Sequence, residues 1–341
     1  MNKLRWGILA TGHITHKLAE GIRHSETGEL YAVGSRTQAS ADEWAETYGV
    51  QHSHGSYEAL LDDGEVDAVY IASPNSQHAG HVIQSAHAKK HILCEKPLAS
   101  NAEEAEKAIE ACRNHGVFML EAFAWRAHPS TLRLVELIKQ GVIGEVRVIE
   151  ASFGFNLHGQ PGNIRMVNAL SGGSIMDVGC YPISFAQLVA GTVLGQAFTE
   201  PTEVHAAGHV GRSGVDEWAA ATLRFDSDIV ASLKSAVQCV LERSAVIYGE
   251  NGKLLIENPW LADGRFRLEV ESKDPELILC ESDKPLYSHE VDMLGECVAK
   301  GLLEAPPPSM GWMDSLAQQR TVDRWRKAVG VRFACDDHNP S

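Results

Sequence analysis

The sequence predicts an α/β chain: a doubly wound parallel sheet, followed by an α+β region with an open, largely antiparallel sheet. Short apolar runs alternate with amphipathic helical patterns up to residue 122, and alternating strands dominate the chain further on. No internal repeat or low-complexity tract interrupts either part. We therefore expect one domain at residues 1–122, a second at 123–330 and a tail at 331–341.

Five apolar runs of the first part have the length and composition of buried parallel strands. They are Leu4–Ala10, Leu30–Gly34, Ala68–Ala72, His91–Cys94 and Val117–Leu120. Between them, apolar residues recur at i, i+3, i+4 and i+7 around Val82 and around Ile109, which predicts amphipathic helices. This alternation requires right-handed crossovers, which build a parallel sheet with helices on both faces.

The second part has a different pattern. We expect a helix at about 127–140, a strand at 145–155, a loop rich in Gly and Asn at 154–173 and a helix at 182–189. Alternating segments at 203–210, 219–225, 229–237, 244–248 and 253–256 then predict the antiparallel sheet, with turns at 225–229 and 249–252. Helices at 288–299 and 313–329 complete the chain.

Composition excludes several classes of protein. The 341 residues include 44% apolar and 22% charged ones, which is typical of a globular protein. The net charge of −15 argues against nucleic acid or an anionic membrane as a partner, and no apolar run is long enough to span a bilayer. Seven scattered cysteines without a Cys-x-x-Cys pair indicate reduced thiols, so we expect a cytoplasmic protein. The His52/His54 and His78/His81 pairs lack further ligands, and we expect no metal.

The turn after the first strand is a degenerate dinucleotide-binding fingerprint. Residues 10–15 read Ala-Thr-Gly-His-Ile-Thr, where a Rossmann domain has Gly-x-Gly-x-x-Gly/Ala. The middle glycine is the one that lets the backbone approach a pyrophosphate at a helix N-terminus, and it is retained. Taken alone, the motif also fits an ordinary strand–turn–helix. The residues expected to line the phosphates are Ala10, Thr11, Gly12, His13 and Ile14.

The end of the second strand distinguishes NADP from NAD. An acidic residue there would hold the ribose 2′-hydroxyl of NAD. This chain has Ser35 and Arg36 instead, a hydroxyl and a guanidinium suited to the 2′-phosphate of NADP. The sequence therefore favours NADP, the alternative being an NAD site beside a solvated Arg36.

Two further strands end in polar residues, at the edge where a doubly wound sheet binds its ligands. One ends in Ser73-Pro74-Asn75 and the other in Glu95-Lys96-Pro97. A lysine followed by proline at such an end indicates a functional cation. The alternative is that Lys96 only pairs with Glu95.

In the second part, Asp177 and Tyr181 are four residues apart and would share one face of a helix. The preceding Gly172 and Gly173 suggest close approach by a flat ligand. A phenol has a pKa of about 10, and a neighbouring ammonium favours its ionised form. Lys96, Asp177 and Tyr181 could therefore form a proton relay. The alternative is a tyrosine held by aspartate for stability alone.

Four segments together resemble the glucose–fructose oxidoreductase/inositol dehydrogenase (Gfo/Idh/MocA) family. They are Trp6-Gly-Ile-Leu, Cys94-Glu-Lys-Pro97, Glu121-Ala-Phe-Ala-Trp125-Arg126-x-x-Pro129 and Gly172-Gly-x-x-x-Asp177-x-Gly-x-Tyr181-Pro. The third segment is similar to the branch of dimeric dihydrodiol dehydrogenases and D-xylose dehydrogenases. The resemblance covers roughly residues 3 to 330.

The resemblance implies an NAD(P)-dependent dehydrogenase or reductase that acts on a CH–OH group of a sugar, polyol or trans-diol. It implies that Lys96 orients the reacting hydroxyl, that Tyr181 is the general acid/base and that Asp177 binds the substrate. It also implies a cis peptide before Pro97 and substrate contact by Trp125. The further cofactor contacts that it implies are Ser73, Pro74, Asn75, His78, Glu95, Lys96, Pro97, Trp125 and Arg126.

Two other functions are compatible with the same fold. One is a redox-neutral, NAD-dependent glycoside hydrolase, against which Tyr181 argues, and the other is a non-catalytic NADP-binding sensor, which would not need an intact acid/base set. We further expect a homodimer through the sheet of the second domain, because an uncovered apolar sheet face is a liability. Arg165, in the Gly/Asn-rich loop, is a weaker candidate for substrate contact.

Overall fold

The computed structural model describes residues 3–160, 162–226 and 228–338. Pro161 of the predicted loop, Ser227 of a predicted turn and residues 339–341 of the predicted tail lie outside the described residues. The chain forms two compact units. Within the described part, the first comprises the residues up to 99 together with 103–127 and 283–312, and the second comprises 100–102, 128–282 and 313 onward.

The helices, in chain order, are α1 (Ile14–Arg23), α2 (Gln38–Tyr48), α3 (Tyr57–Leu61), α4 (His78–His87), α5 (Ala102–His115), α6 (Ala124–Ala127), α7 (Pro129–Lys139), α8 (Cys180–Val193), α9 (Leu286–Ala299) and α10 (Trp312–Val329). The strands are β1 (Leu4–Leu9), β2 (Gly28–Gly34), β3 (His52–His54), β4 (Ala68–Ile71), β5 (His91–Glu95), β6 (Met119–Ala122), β7 (Val146–Gly154), β8 (Glu203–Val210), β9 (Asp216–Arg224), β10 (Val230–Ala236), β11 (Ser244–Gly249), β12 (Gly252–Glu257), β13 (Arg265–Val270) and β14 (Glu276–Leu279). Within the described ranges, no helix is both long and apolar enough to cross a membrane.

The first unit contains a six-stranded sheet in the order β3-β2-β1-β4-β5-β6, and every strand pair in it is parallel. The predicted doubly wound sheet is confirmed. Trp6, Ile8 and Leu9 of the central strand β1 are fully buried, because helices cover both faces of such a sheet. The strand order reverses between β1 and β4, and ligands of this fold bind where the chain leaves the carboxyl ends of the strands around that point.

The chain returns to the first unit at residues 283–312, which differs from the single boundary that the sequence suggested near residue 122. The buried carboxylate of Asp292 in α9 explains the return. It accepts hydrogen bonds from the Ser25 hydroxyl at 2.6 Å and from the Glu26 amide at 2.9 Å, and Lys284 lies 3.0 Å from its other oxygen. The contacts with Ser25 and Glu26 join residues more than 260 positions apart, so no local pattern in the sequence predicts them.

The second unit contains an eight-stranded sheet in the order β14-β13-β12-β11-β7-β10-β9-β8. Only the β7–β10 pair of these strands is parallel, so the predicted largely antiparallel sheet is confirmed. The sequence patterns did not predict β13 and β14. Leu277 and Leu279 of β14 are more than half exposed, which explains why this edge strand lacks the clear alternation of a buried one.

Candidate active site

The turn between β1 and α1 has the backbone of a dinucleotide-binding turn despite its altered sequence. Ala10 takes a φ of 81°, the left-handed region that suits the glycine of the usual fingerprint. Gly12 is exposed, and a Cβ added to it would meet nothing closer than the Ala72 carbonyl oxygen at 3.6 Å. The fold itself therefore tolerates a side chain at position 12, and its absence leaves the backbone open to a ligand.

The N-terminus of α1 is electrostatically suited to an anion. His13 precedes the helix without a side-chain cap, and the first turn, which starts at Ile14, contains no acidic residue. The positive end of the helix dipole favours a phosphate at such a terminus. Thr11, on the turn, is partly exposed.

Thr15 stabilises this turn in place of the third glycine. The side chain is fully buried, its hydroxyl donates to the Gly12 carbonyl at 2.6 Å, and it accepts a hydrogen bond from the Trp44 indole at 2.9 Å. A hydroxyl that bridges the turn and α2 thus replaces the close packing that glycine usually permits at this position.

The carboxyl end of β2 presents hydroxyl groups and one cation. Ser35 is buried, and its hydroxyl lies 3.4 Å from that of Thr11. Arg36 is exposed, and α2, which follows, has no acidic residue in its first turn. Burial raises the pKa of Tyr57, and the positive charge of Arg36 opposes that rise. This end of the sheet fits the 2′-phosphate of NADP better than a bare ribose hydroxyl.

His78 differs from the expectation that it contacts the nucleotide. Its ring is 1% exposed, and its nitrogens lie 2.7 Å from the Ser73 carbonyl oxygen and 2.8 Å from that of Pro97. Burial lowers the pKa of His78 to about 4, so near pH 7 the ring carries one proton and donates to one of the two carbonyls. His78 therefore links two strand-end loops. Pro74 and Asn75, which lie between Ser73 and His78 in the sequence, are partly exposed.

The Glu-Lys-Pro segment lies at the end of β5. The Glu95 carboxylate is buried and accepts a hydrogen bond from the Tyr70 hydroxyl at 2.5 Å, so Glu95 faces the interior. Burial, with the nearby Glu95 charge, raises the pKa of Tyr70 well above its usual value. Lys96 is partly exposed, and the Lys96–Pro97 peptide is cis, as the resemblance implied.

Trp125 and Arg126 are more buried than expected of cofactor contacts. Both lie in α6 and are 2% and 1% exposed. The Arg126 guanidinium stacks 5.5 Å from the Trp125 ring, and its Nε donates to the Pro308 carbonyl. Because so little of their surface is exposed, we expect these two side chains to support the residues that contact the cofactor.

The glycine pair before Asp177 serves the fold rather than a flat ligand. A Cβ on Gly172 would lie 2.5 Å from the Arg165 carbonyl oxygen, and a Cβ on Gly173 would lie 2.3 Å from Asp216 Oδ1. Gly173 also has a φ of 111°. Both residues let protein atoms approach closely, which corrects the ligand interpretation.

A π-helical turn, Ile175–Gly179, leads directly into α8 and carries Asp177. Asp216, fully buried at the start of β9, holds the beginning of this turn: its Oδ2 accepts from the Ser174 hydroxyl at 2.6 Å and from the Ile175 amide at 2.8 Å. Burial raises the pKa of Asp216, and these two hydrogen bonds oppose the rise. Because π-helical turns occur frequently at functional sites, the turn is consistent with a functional role for Asp177.

Asp177 forms an ion pair that the sequence analysis did not identify. Its Oδ2 lies 2.6 Å from Nε of Arg165, and the two side chains are 14% and 37% exposed. The carboxylate expected to bind substrate is thus oriented by an arginine of the Gly/Asn-rich loop.

Tyr181 lies at the start of α8 and is partly exposed, so an incoming molecule can reach it. Its ring packs edge-on against Phe153 at 5.3 Å and lies 5.7 Å from Trp260, whose indole donates to the Ser152 carbonyl at 3.1 Å. Aromatic neighbours on several sides restrict the orientation of the phenol and reduce its contact with water.

In the described part of the chain, no group of three His, Cys, Asp or Glu side chains could hold a metal ion. The fold and the residues placed on it define a nucleotide-binding oxidoreductase with a second, open-sheet unit that bears an aspartate and a tyrosine. The chain belongs to the Gfo/Idh/MocA family: residues 4–123 match the oxidoreductase family with an NAD-binding Rossmann fold, and residues 131–255 match the GFO/IDH/MocA C-terminal domain. The predicted family and enzyme class are confirmed.

Relatives cover almost the whole chain. It is 32% identical to a trans-1,2-dihydrobenzene-1,2-diol dehydrogenase of Danio rerio, over 98% of this chain and 99% of the relative. It is also 32% identical to a D-xylose 1-dehydrogenase (NADP(+)) of Haloferax volcanii, over 94% of this chain and 95% of the relative. These two relatives represent the branch that the sequence resembles.

Two solved structures have the same fold. The aldose-aldose oxidoreductase of Caulobacter crescentus, complexed with glycerol, has a TM-score of 0.85 at 28% identity and covers 96% of this chain and 97% of its own. A 3-ketoreductase of Actinomadura kijaniata, in complex with NADP and TDP-benzene, has a TM-score of 0.85 at 26% identity and covers 96% and 98%.

Proposed function

We propose that this enzyme is an NADP(H)-dependent oxidoreductase that acts on a hydroxyl or carbonyl carbon of a sugar, polyol or trans-diol, with Tyr181 and Lys96 as the acid/base pair. The observation that carries the proposal is the partly exposed phenol of Tyr181, one turn beyond the ion-paired Asp177. Relatives matched over nearly the full length act on a diol and on an aldose.

NADP is the proposed cofactor because the binding turn and the end of β2 fit its phosphates. The exposed Gly12 backbone and the uncapped N-terminus of α1 would take the pyrophosphate. Arg36 and the hydroxyl groups of Thr11 and Ser35 would take the 2′-phosphate, since no carboxylate in the first turn of α2 repels it. The A. kijaniata neighbour was crystallised with NADP.

The mechanism follows from the chemistry of the side chains. When bound, the nicotinamide ring supplies hydride transfer. In oxidation the phenolate of Tyr181 takes the proton of the substrate hydroxyl, and in reduction the phenol returns it to the developing alkoxide. The Lys96 ammonium hydrogen-bonds the reacting oxygen and favours the ionised phenol. Asp177 accepts a hydrogen bond from a substrate hydroxyl, and Phe153 and Trp260 limit access of water to the phenol.

A homodimer in the cytoplasm is the proposed assembly and location. The outer strands β8 and β9 expose Trp218, whose ring is 42% exposed and stacks on His209 at 4.3 Å. Tryptophan is among the residues enriched at protein–protein interfaces. All seven cysteines are free thiols, as in a reducing compartment. Sedimentation at micromolar concentration tests the dimer, and a monomer would contradict it.

A substrate panel tests the proposed activity. Aldoses, polyols and vicinal diols are assayed by NADPH absorbance with NADP⁺ and, in parallel, with NAD⁺. We expect turnover of at least one vicinal diol or aldose and a preference for NADP⁺. The proposal would be wrong if the purified enzyme oxidised none of the panel and reduced none of the matching carbonyl compounds.

A further inference from the structure

Arg165 occupies a position that the surrounding backbone fixes closely. It lies in a 3-10 turn, Ile164–Met166, where the Asn163 side chain accepts from the Arg165 amide at 3.1 Å. The Arg165 carbonyl accepts from the Gly173 amide at 2.8 Å, and only a glycine at position 172 lets the two segments approach this closely. The loop arginine is therefore held against the segment that leads to Asp177.

The guanidinium is only partly engaged by the protein. Its Nε donates to Asp177 Oδ2 at 2.6 Å, and its Cζ lies 5.7 Å from the Phe155 ring. Among the described residues, neither Nη1 nor Nη2 has a hydrogen-bonding partner, and 37% of the side chain is exposed. The four N–H donors on these two nitrogens are thus not used by the described residues, and the guanidinium that carries them is paired with the carboxylate expected to bind substrate.

The charges of the pair determine which ligand it suits. The guanidinium and the carboxylate neutralise each other, so the pair does not attract an anion strongly. It offers a neutral polyhydroxyl compound a carboxylate acceptor on Asp177 and N–H donors on Arg165, in two side chains that contact each other. Two adjacent oxygens on one ligand match this arrangement.

We propose that Arg165 is a specificity-determining residue. Its terminal amino groups bind the hydroxyl on the carbon adjacent to the reacting carbon, so that the enzyme prefers vicinal diols and aldoses to simple alcohols. This inference rests on the proposed function, since it assigns a substrate class to the same site. Arg165 also fixes the position of the Asp177 carboxylate through the ion pair, in which Nε lies 2.6 Å from Oδ2.

The test compares a substrate with its analogue that lacks the neighbouring hydroxyl. The pairs are trans-cyclohexane-1,2-diol with cyclohexanol, and D-xylose with 2-deoxy-D-xylose. For Arg165→Gln we expect kcat/KM to fall about ten- to hundredfold on the substrates with both oxygens, and about threefold or less on the analogues. An equal loss on both members of each pair would overturn the inference.

Two variants separate specificity from charge. Arg165→Lys retains a cation but not the planar fork, so it should lose most of the discrimination between diol and analogue. Arg212→Gln is the matched control, because Arg212 is an exposed loop arginine of the same unit that makes no hydrogen bond or ion pair with the described residues. Discrimination unchanged in both Arg165 variants would contradict the proposal.

Calorimetric binding of trans-cyclohexane-1,2-diol distinguishes failure of this inference from failure of the proposed function. If wild type turns over no compound but binds the diol, and Arg165→Gln weakens that binding tenfold, Arg165 recognises diols although the proposed activity is wrong. If wild type neither binds nor oxidises the diol or the aldose, both proposals are overturned. Unchanged midpoints of thermal unfolding in the variants confirm that they fold.

Discussion

Replacing Gly173 by alanine should damage both the stability of the second unit and the activity. The residue has a φ of 111°, and an added Cβ would lie 2.3 Å from Asp216 Oδ1. The strained backbone costs about 1–3 kcal/mol. The displaced Asp216 carboxylate would lose at least one of its hydrogen bonds to Ser174 and Ile175, each worth about 1.5–3 kcal/mol for a charged acceptor. We expect a decrease in the free energy of unfolding of about 3–6 kcal/mol.

The assay is urea unfolding followed by fluorescence, with Gly195→Ala as the control. Gly195 also has a positive φ, 71°, but a Cβ there would meet nothing within 4 Å, so this variant should lose only about 1–2 kcal/mol. The amide of Asp177 donates to the Gly173 carbonyl at 3.1 Å, so Gly173→Ala should also lower kcat about a hundredfold by displacing Asp177. If the two variants unfold within about 1 kcal/mol of each other, the role assigned to Gly173 is wrong.

Three further predictions concern the first unit. Lys96→Ala should lower turnover at least about a hundredfold while NADP⁺ affinity, measured by fluorescence titration, changes little. Arg36→Ala should weaken NADP⁺ about tenfold or more and leave NAD⁺ nearly unaffected, because only NADP⁺ has the 2′-phosphate. The free energy of unfolding should fall by up to about 3 kcal/mol between pH 6.5 and 4, because the folded pKa of His78 is lowered to about 4 and the unfolded chain takes up its proton first. His78→Gln should remove that part of the pH dependence.

Each of these predictions has a contradicting result. Near-normal turnover of Lys96→Ala would remove the lysine from the chemistry. An equal loss of NADP⁺ and NAD⁺ affinity in Arg36→Ala would show that the guanidinium does not read the 2′-phosphate. A pH profile of unfolding that His78→Gln leaves unchanged would mean that other groups dominate acid destabilisation.

Local patterns in the sequence predicted the elements that local physics determines. The apolar runs around Trp6 and Cys94 are parallel strands because a sheet covered on both faces selects such runs. The cis peptide at Pro97 agrees with the resemblance, and the helical placement of Tyr181 agrees with its four-residue spacing from Asp177. These features depend on neighbours in sequence or on a family motif.

Features that depend on distant residues were not predictable in this way. The return of α9 to the first unit depends on Asp292, whose partners lie more than 260 residues earlier. Nothing near Asp216 in the sequence indicates that its carboxylate holds the turn before Asp177. The resemblance implied that His78 contacts the cofactor, but two carbonyl groups from separate loops engage its ring. The missing signal in each case is a tertiary contact.

The central claim is that the hydroxyl of Tyr181 transfers the substrate proton during the redox step. Single-turnover kinetics of Tyr181→Phe, with bound NADP⁺ and a saturating vicinal diol, test it most directly. We predict that NADPH forms at least about a hundredfold more slowly than in wild type, with unchanged NADP⁺ affinity. A rate within about threefold of wild type would show that another group carries the proton.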